Sequence, residues 1–419
     1  MIKLLIIADD FTGGLDTGVQ FASRGIPTCV LTDPEADFTA ETGACEVLVA
    51  VAETRHLPAR EAYDRVFRAA RKGVSLGVPH IYKKTDSALR GNIGAELTAV
   101  LDAAGCPLLP FVPALPAMNR VTRNGVQYID GVPVAESVFG RDPFEPVRES
   151  DVPRLIALQS STPAFRADPD MLRGLSGIAV LDASSEEDLD RIAGCLENLR
   201  GLQVSAGCAG FAAVLPGLLG LSRQESPELP PLAPGLFVLC GSVNPITQRQ
   251  LDYGETNGFT RIHIAPEIKL HPEVFGTEKG KAVLAGWKER MAADPWMILD
   301  ANDTDPSNIE TAEQAALEGL SIEDVRQRIS ESLGIILSSL MDSPADRTLL
   351  ITGGDTLLRS MDRMKIRRML PITEAAPGSV LSRVAYNGKS WSVITKSGGF
   401  GKETLLSDLK DLILNRNNG

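Results

Sequence analysis

The sequence predicts an α/β protein of two domains, each a largely parallel sheet flanked by helices, with the active site in the cleft between them. Three observations carry this expectation. At 419 residues the chain is longer than one hydrophobic core sustains. Continuous apolar runs of strand length alternate with helical patterns, as βαβ units require. The aperiodic, proline-rich stretch "SRQESPELPPLAPG" (Ser222–Gly235) breaks that alternation as a linker does. The expected division is a first domain over 1–225, a linker over 226–235, and a second domain over 236–419.

In the first domain the strand-like runs are "KLLIIA", "PTCVLT", "EVLVAVA", "HIYKK", "PLLPFVPA", "GIAVLD" and "LQVSAG". Their lack of polar alternation suits strands covered on both faces. After the first run, Leu15, Val19 and Ala22 recur on one helical face, and Gly25 followed by Pro27 supplies a stop. "GVQYIDGVPV" (125–134) reads as a hairpin turning at Asp130-Gly131. In the second domain the alternation resumes with "GLFVLCGS", "TRIHIA", "WMILDA", "RTLLITGGDT" and "WSVITKSGGFGKET".

Composition excludes several classes. A net charge of −12 without a basic cluster argues against nucleic-acid binding. The opening apolar run lacks the flanks of a signal peptide, and no apolar stretch is long enough to cross a bilayer, so no membrane partner is expected. Six scattered cysteines without a Cys-x-x-Cys pair read as buried apolar residues in a reducing cytoplasm, and four histidines without ligand spacing give no metal centre.

Ligands of open parallel sheets bind beyond the carboxyl ends of the strands. In the first domain those ends carry Asp9-Asp10, "KKTDSALRGN" (Lys83–Asn92) and "PALPAMNRVTRNG" (Pro113–Gly125). Lys83, Lys84, Arg90, Arg120 and Arg123 are thus expected at the same edge as Asp9, Asp10 and Asp86. Arginine grips a carboxylate with two donors, and aspartate accepts from or deprotonates a hydroxyl, so the set suits an anionic, hydroxylated small molecule. The plainer reading is that a strand-ending Asp caps the next helix, and that Lys83 alternates outward.

In the second domain three strands end in tight polar turns before a helix: Gly241-Ser242, Thr352 to Thr356, and Lys396 to Lys402. Glycines let a ligand approach the backbone, and N–H groups at a helix start bind phosphate. Any one such turn commonly just reverses the chain, but three in one domain favour a phosphate-rich nucleotide. It is not a P-loop: Glu403 follows Lys402 where Ser or Thr is needed. A dinucleotide Gly-x-Gly-x-x-Gly is also missing after either opening strand.

Taken together, "IADDFTGGLDTG", "KKTDSALRGN", "PALP…R…G…GVPV", "CGSVNPITQRQ", "ITGGDT" and "KSGGFG" resemble, in order and over essentially the whole chain, the four-carbon acid sugar kinase family, once a domain of unknown function. The resemblance implies an N-terminal sugar-acid domain, a C-terminal ATP domain, and phosphorylation of threonate, erythronate or 3-oxo-tetronate, usually at the terminal hydroxyl. It implies that Asp9, Asp10, Lys84, Asp86, Arg90 and Arg120 line the sugar-acid site. It likewise puts Ser242, Gly353, Gly354, Asp355, Thr356, Gly398 and Gly399 in the ATP site. Two departures stand out: Asn119 precedes Arg120 where members carry Gly, and Thr85-Asp86-Ser87-Ala88 replaces Ile-Asp-Ser-Thr. "LDTGVQFASRG" is more similar to the threonate and erythronate kinases than to the 3-oxo-tetronate kinases. A homodimer is a further family-level expectation.

The expected chemistry is transfer of the ATP γ-phosphoryl group with Mg²⁺ held mainly by phosphates and water. Arg90 and Arg120 would anchor the substrate carboxylate, and Lys84 would offset developing charge. Asp10 is the favoured base, with Asp86 and Asp355 as competitors. The rivals are a nicotinamide-dependent hydroxy-acid oxidoreductase and a non-catalytic sugar-acid sensor.

Overall fold

The computed structural model describes every residue except 34, 42, 143–144, 200–201, 222–228, 230–231, 306, 344, 398 and 418–419. Residues 226–228 and 230–231 of the expected linker therefore lie outside the described residues. The chain divides into two compact units, Met1–Pro227 and Glu228–Gly419.

Strands of the first unit are β1 (Leu4–Ala8), β2 (Thr28–Leu31), β3 (Val47–Val51), β4 (His80–Lys84), β5 (Leu108–Val112), β6 (Arg120–Arg123), β7 (Val126–Ile129), β8 (Val132–Pro133), β9 (Ala164–Ala167), β10 (Gly177–Leu181) and β11 (Val204–Gly207). Eight of them pair in parallel in the order β2-β3-β1-β4-β11-β5-β10-β9. The apolar runs are the strands buried on both faces: every residue of β1, β3 and β10 is buried.

The helix Phe11–Ala22 packs Gly14 and Gly18 against Ala8, Val49 and Val51, whereas Gly73 of the helix Ala59–Ser75 packs against Leu5 and Ile81. Leu5 and Ala8 differ in parity along β1, so the helix after β1 covers one face and the helix after β3 the other. Where neighbouring connections leave on opposite faces, the strand ends part and leave a crevice.

The expected hairpin is part of a larger three-stranded antiparallel sheet, β6-β7-β8. Its turns, Asn124-Gly125 and Asp130-Gly131, have positive φ at both central residues, the geometry that matches strand twist.

The second unit holds β12 (Leu236–Cys240), β13 (Thr260–His263), β14 (Trp296–Asp300), β15 (Thr348–Thr352), β16 (Arg368–Ala376), β17 (Ser379–Tyr386) and β18 (Lys389–Lys396), in the order β13-β14-β12-β15-β18-β17-β16. The five expected runs form the parallel part, whereas β16 and β17 add an antiparallel pair. Leu236, Val238, Leu350 and Ile394 form its core with Leu405, Leu406, Leu409 and Ile413 of the helix Leu405–Asn417. No helix among the described residues is long and apolar enough to cross a membrane.

Candidate active site

Because β3, β1 and β4 are adjacent and parallel, the residues that follow them converge. Asp9 and Asp10 follow β1, Arg55 follows β3 and Asp86 follows β4. The Arg55 guanidinium is the hub. Its Nε and Nη2 donate to Asp9 Oδ2 at 2.8 and 2.7 Å, and Nη2 lies 2.8 Å from Asp10 Oδ1 and 3.8 Å from Asp86 Oδ1. Asn92 ties down the loop that presents Arg55 by donating to the Thr54 and Leu57 carbonyls at 2.8 and 2.7 Å.

Asp10 is also the N-cap of the helix Phe11–Ala22, accepting from Gly13 N at 3.1 Å and from Thr12 Oγ1 at 2.8 Å. A side chain at residue 13 would collide with the Asp10 carboxylate and sit 2.7 Å from Lys84 Nζ, so the turn requires glycine. Lys84 Nζ donates to the Thr85 carbonyl at 2.8 Å and stands 3.8 Å from Asp9 Oδ1. That oxygen is buried and accepts no hydrogen bond from the described residues.

Arg90 grips Asp86 with two donors at 2.9 and 3.0 Å. Arg120 Nη1 donates to Ser87 Oγ at 2.5 Å, and Gln127 holds the Ser87 carbonyl at 2.9 Å. Both guanidiniums lie against the ring of Phe139, 5.2 and 5.1 Å from its centroid. Among the described residues Arg120 makes no ion pair with a carboxylate.

Burial by itself would raise the pKa of Asp9, but Arg55, Lys84 and Lys83 outweigh it and hold the carboxyl below the ordinary range. Asp86 is buried too, and Arg90 and Arg55 hold it well below that range. Arg55 is driven well above its ordinary value: its burial is overcome by Asp10, Asp9 and Asp86. Asp9, Asp86 and Arg55 are therefore charged at neutral pH and screened little by water.

The structure brings Asp9, Asp10, Lys84, Asp86, Arg90 and Arg120 to one edge, but two of the expected cations are elsewhere. Lys83 points to the opposite face of β4, where its buried ammonium pairs with Glu96 at 2.7 Å, because consecutive strand residues alternate. Arg123 lies one turn further along the small sheet and donates to Ser184 Oγ at 3.0 Å. Sequence reasoning also passed over Arg55, although it follows the apolar run "EVLVAVA" by the same rule that picked out Asp9 and Asp86. Asn119 has φ 52°, the left-handed conformation that glycine and asparagine share, which accounts for its standing where relatives of the resembled family carry glycine. Apart from this edge, Cys29, Glu41 and Cys45 bring donor atoms within 4.8 Å of one another, a grouping that cysteine spacing did not announce.

In the second unit β12, β15 and β18 are neighbours, so the three glycine turns share one edge. Gly353 has φ 102° and ends β15 directly before the helix Gly354–Arg363. The Thr356 hydroxyl fills the space that a side chain at Gly241 would need. Ser242 Oγ lies 3.4 Å from Thr247 Oγ1, which accepts from the buried Lys396 ammonium at 2.9 Å. Burial pushes Lys396 down to about 8. The half-exposed Asp355 is 3.4 Å from Arg326. Gly399 lies in the turn after β18, whereas Gly398 is outside the described residues.

These cradles fit phosphates: they offer glycine-lined backbone, a helix start and hydroxyls without crowding side chains. The first edge offers the opposite chemistry, a dense array of acids and bases around a buried carboxylate oxygen that accepts no hydrogen bond and an arginine in no ion pair among the described residues.

Comparisons with known proteins divide the chain in the same way. Residues 4–215 match a sugar-binding N-terminal domain and residues 237–406 a nucleotide-binding C-terminal domain. The chain is 30% identical to the D-threonate kinase of Salmonella typhimurium, with 97% of each chain covered. It is 26% identical to the D-erythronate kinase of Heliobacterium modesticaldum, over 99% of this chain and 98% of that one. It is 29% identical to the 3-oxo-tetronate kinase of Escherichia coli, over 85% and 94%. The fold is shared with a solved Salmonella typhimurium chain described provisionally as a tRNA synthase, at TM-score 0.80 and 22% identity over 97% and 98% of the two chains. With an acid-and-base edge in one unit, phosphate cradles in the other, and full-length kinase relatives, the chain belongs to the four-carbon acid sugar kinase family.

Proposed function

We propose that the protein transfers the γ-phosphoryl group of ATP to the terminal hydroxyl of a four-carbon sugar acid, with D-threonate or D-erythronate favoured over 3-oxo-tetronate. One observation carries the substrate class: a single edge presents a half-buried guanidinium that pairs with no carboxylate among the described residues and a buried carboxylate oxygen without a donor. A sugar acid answers both, giving a carboxylate to Arg120 and a hydroxyl to Asp9. Identities of 30% and 28% to two D-threonate kinases support D-threonate, beside 29% to a 3-oxo-tetronate kinase and 26% to a D-erythronate kinase.

Asp10 is our choice for the group that orients or deprotonates the reacting hydroxyl. Its side chain is 21% exposed, against 3% for Asp9 and 8% for Asp86, whose two oxygens are taken by Arg90. Lys84, next to Asp9, would offset charge at the reacting oxygen. Ser242, Gly353, Gly354, Asp355, Thr356, Gly398 and Gly399 would receive the nucleotide, and residues 226–235 would link the two domains. Mg²⁺ fits as an ion held mainly by phosphates, with Asp355 the exposed carboxylate at that edge; when bound it neutralises phosphate charge. A reducing cytoplasm suits six cysteines of which none is in a disulfide, and a homodimer is the assembly the family suggests.

Turnover of ATP against three- to six-carbon aldonic acids tests the substrate. A four-carbon acid is expected to have the highest kcat/KM, and ATP but not NAD is expected to raise Tm. Asp10→Asn keeps the helix cap, since asparagine caps as well as aspartate. It weakens the pairing of Asp10 with Arg55, so a small fall in Tm is expected beside a fall in kcat on the order of 100-fold. Unchanged turnover would remove Asp10 from this role.

A further inference from the structure

The segment after the small sheet has a part that neither the motifs nor the roles above assign. Two short 3₁₀ turns, Val134–Glu136 and Val138–Arg141, meet at Ser137, whose hydroxyl accepts from Phe139 N at 3.1 Å. Gly140 packs directly on the Ala135 carbonyl, where a side chain could not fit. The backbone on both sides of Phe139 is therefore fixed, and its ring is set against Arg90 and Arg120 together, at 5.2 and 5.1 Å.

Holding two guanidiniums on one ring opposes their mutual repulsion, which the negative face of the ring partly offsets. Arg90 spends two donors on Asp86 and has Asp142 at 3.7 Å from Nη1. Arg120 has only Ser87 and the ring among the described residues, so its other donors are available to an anion. An unrestrained arginine would lose side-chain entropy on gripping a carboxylate, whereas this one is already oriented.

We propose that Phe139 is a positioning residue for the substrate: its ring holds Arg120, with Arg90 beside it, at the spread that takes the sugar acid's carboxylate. This rests on the kinase reading. The carboxylate lies at the far end of a four-carbon acid from its terminal hydroxyl. Misplacing the arginines should therefore weaken ground state and transition state alike, and appear in KM rather than kcat.

Steady-state kinetics of Phe139→Ala, Phe139→Leu and Phe139→Tyr beside Arg120→Ala test this. Alanine and leucine should each raise the sugar-acid KM roughly five- to thirtyfold, the range of a partly desolvated cation–π contact, and Tyr should restore it. The kcat and the KM for ATP should stay within about twofold of wild type. Leucine keeps apolar bulk without a ring, so a wild-type KM in Phe139→Leu or Phe139→Ala overturns the proposal, as does an equal loss of kcat in all three variants. If Arg120→Ala raises the KM and the Phe139 variants do not, only this inference falls. A wild-type enzyme that turns over no four-carbon acid overturns the kinase reading and this inference with it.

Discussion

At the end of β1 a guanidinium and an ammonium lie within 4 Å of carboxylates from two strands, whereas the end of β12 holds hydroxyls, backbone turns and one buried ammonium. The two edges occupy equivalent places on parallel sheets, so the difference lies in the residues and not the architecture. Charged side chains discriminate a small acid by where each of its groups falls, and they must be paired with one another to be buried at all. Backbone turns bind phosphates of any nucleotide without such pairing, and what they require instead is empty space beside the chain. Removing a charge should therefore damage the first edge most, and adding a side chain should damage the second.

The strongest way to break this contrast is Arg55→Met. It strands Asp9, Asp10 and Asp86 together without their shared cation. The expected cost is about 3 kcal/mol or more in the stability of the first unit, read by urea unfolding. Nucleotide affinity should not change. The pH dependence has a defined sign. Asp9 and Asp86 are held below the ordinary carboxylate range, so in wild type they favour folding above about pH 4 and lose that contribution as acid protonates the folded carboxyls. In Arg55→Met the deficit should shrink on acidification through that region. A deficit of the same size at every pH would mean that Arg55 acts by packing.

Gly353→Val is the counterpart on the second edge. At φ 102° a β-branched residue is strained by roughly 1–3 kcal/mol, and its side chain would press on Thr356 and Gly241. Affinity for ADP, measured by calorimetry, should fall tenfold or more by the same strain, with the sugar-acid KM unchanged. If ADP binds as before, the turn only reverses the chain.

The smallest effect sharpens the comparison. Burial lowers Lys396 to about 8, so its ammonium is partly neutral in mildly alkaline solution. A phosphate nearby would favour the charged form, so nucleotide affinity should weaken a few-fold as pH rises from about 7 to 9.5, and Lys396→Met should flatten the profile. A wild-type affinity that is level across that range would place the phosphates away from β18.

The parallel strands were legible because burial on both faces leaves continuous apolar runs, as in "KLLIIA" and "EVLVAVA". The antiparallel pair β16 and β17 was not: β16 mixes buried and half-buried residues, and "RMLPITEAA" contains a proline and a glutamate that weaken a strand reading. The positions of Asp9, Asp10 and Asp86 followed from the strand ends. The environment of each did not, because Arg55 reaches them from a loop whose sequence, "ETRHLP", has no motif, and because Phe139 comes from a segment remote in sequence. Lys83 shows the opposite failure: "KK" looks like doubled charge at one edge, and only the pleat separates the two.

The double duty of Asp10 has a consequence beyond catalysis. As a helix cap it could drift to asparagine at the cost of only its pairing with Arg55, yet the protein would then have lost the carboxylate that we assign to the reaction. Pressure to stay folded therefore guards this position only through that one pair. A descendant with asparagine there would be a well-behaved pseudoenzyme, still able to hold its ligands, and recognisable as such from one atom.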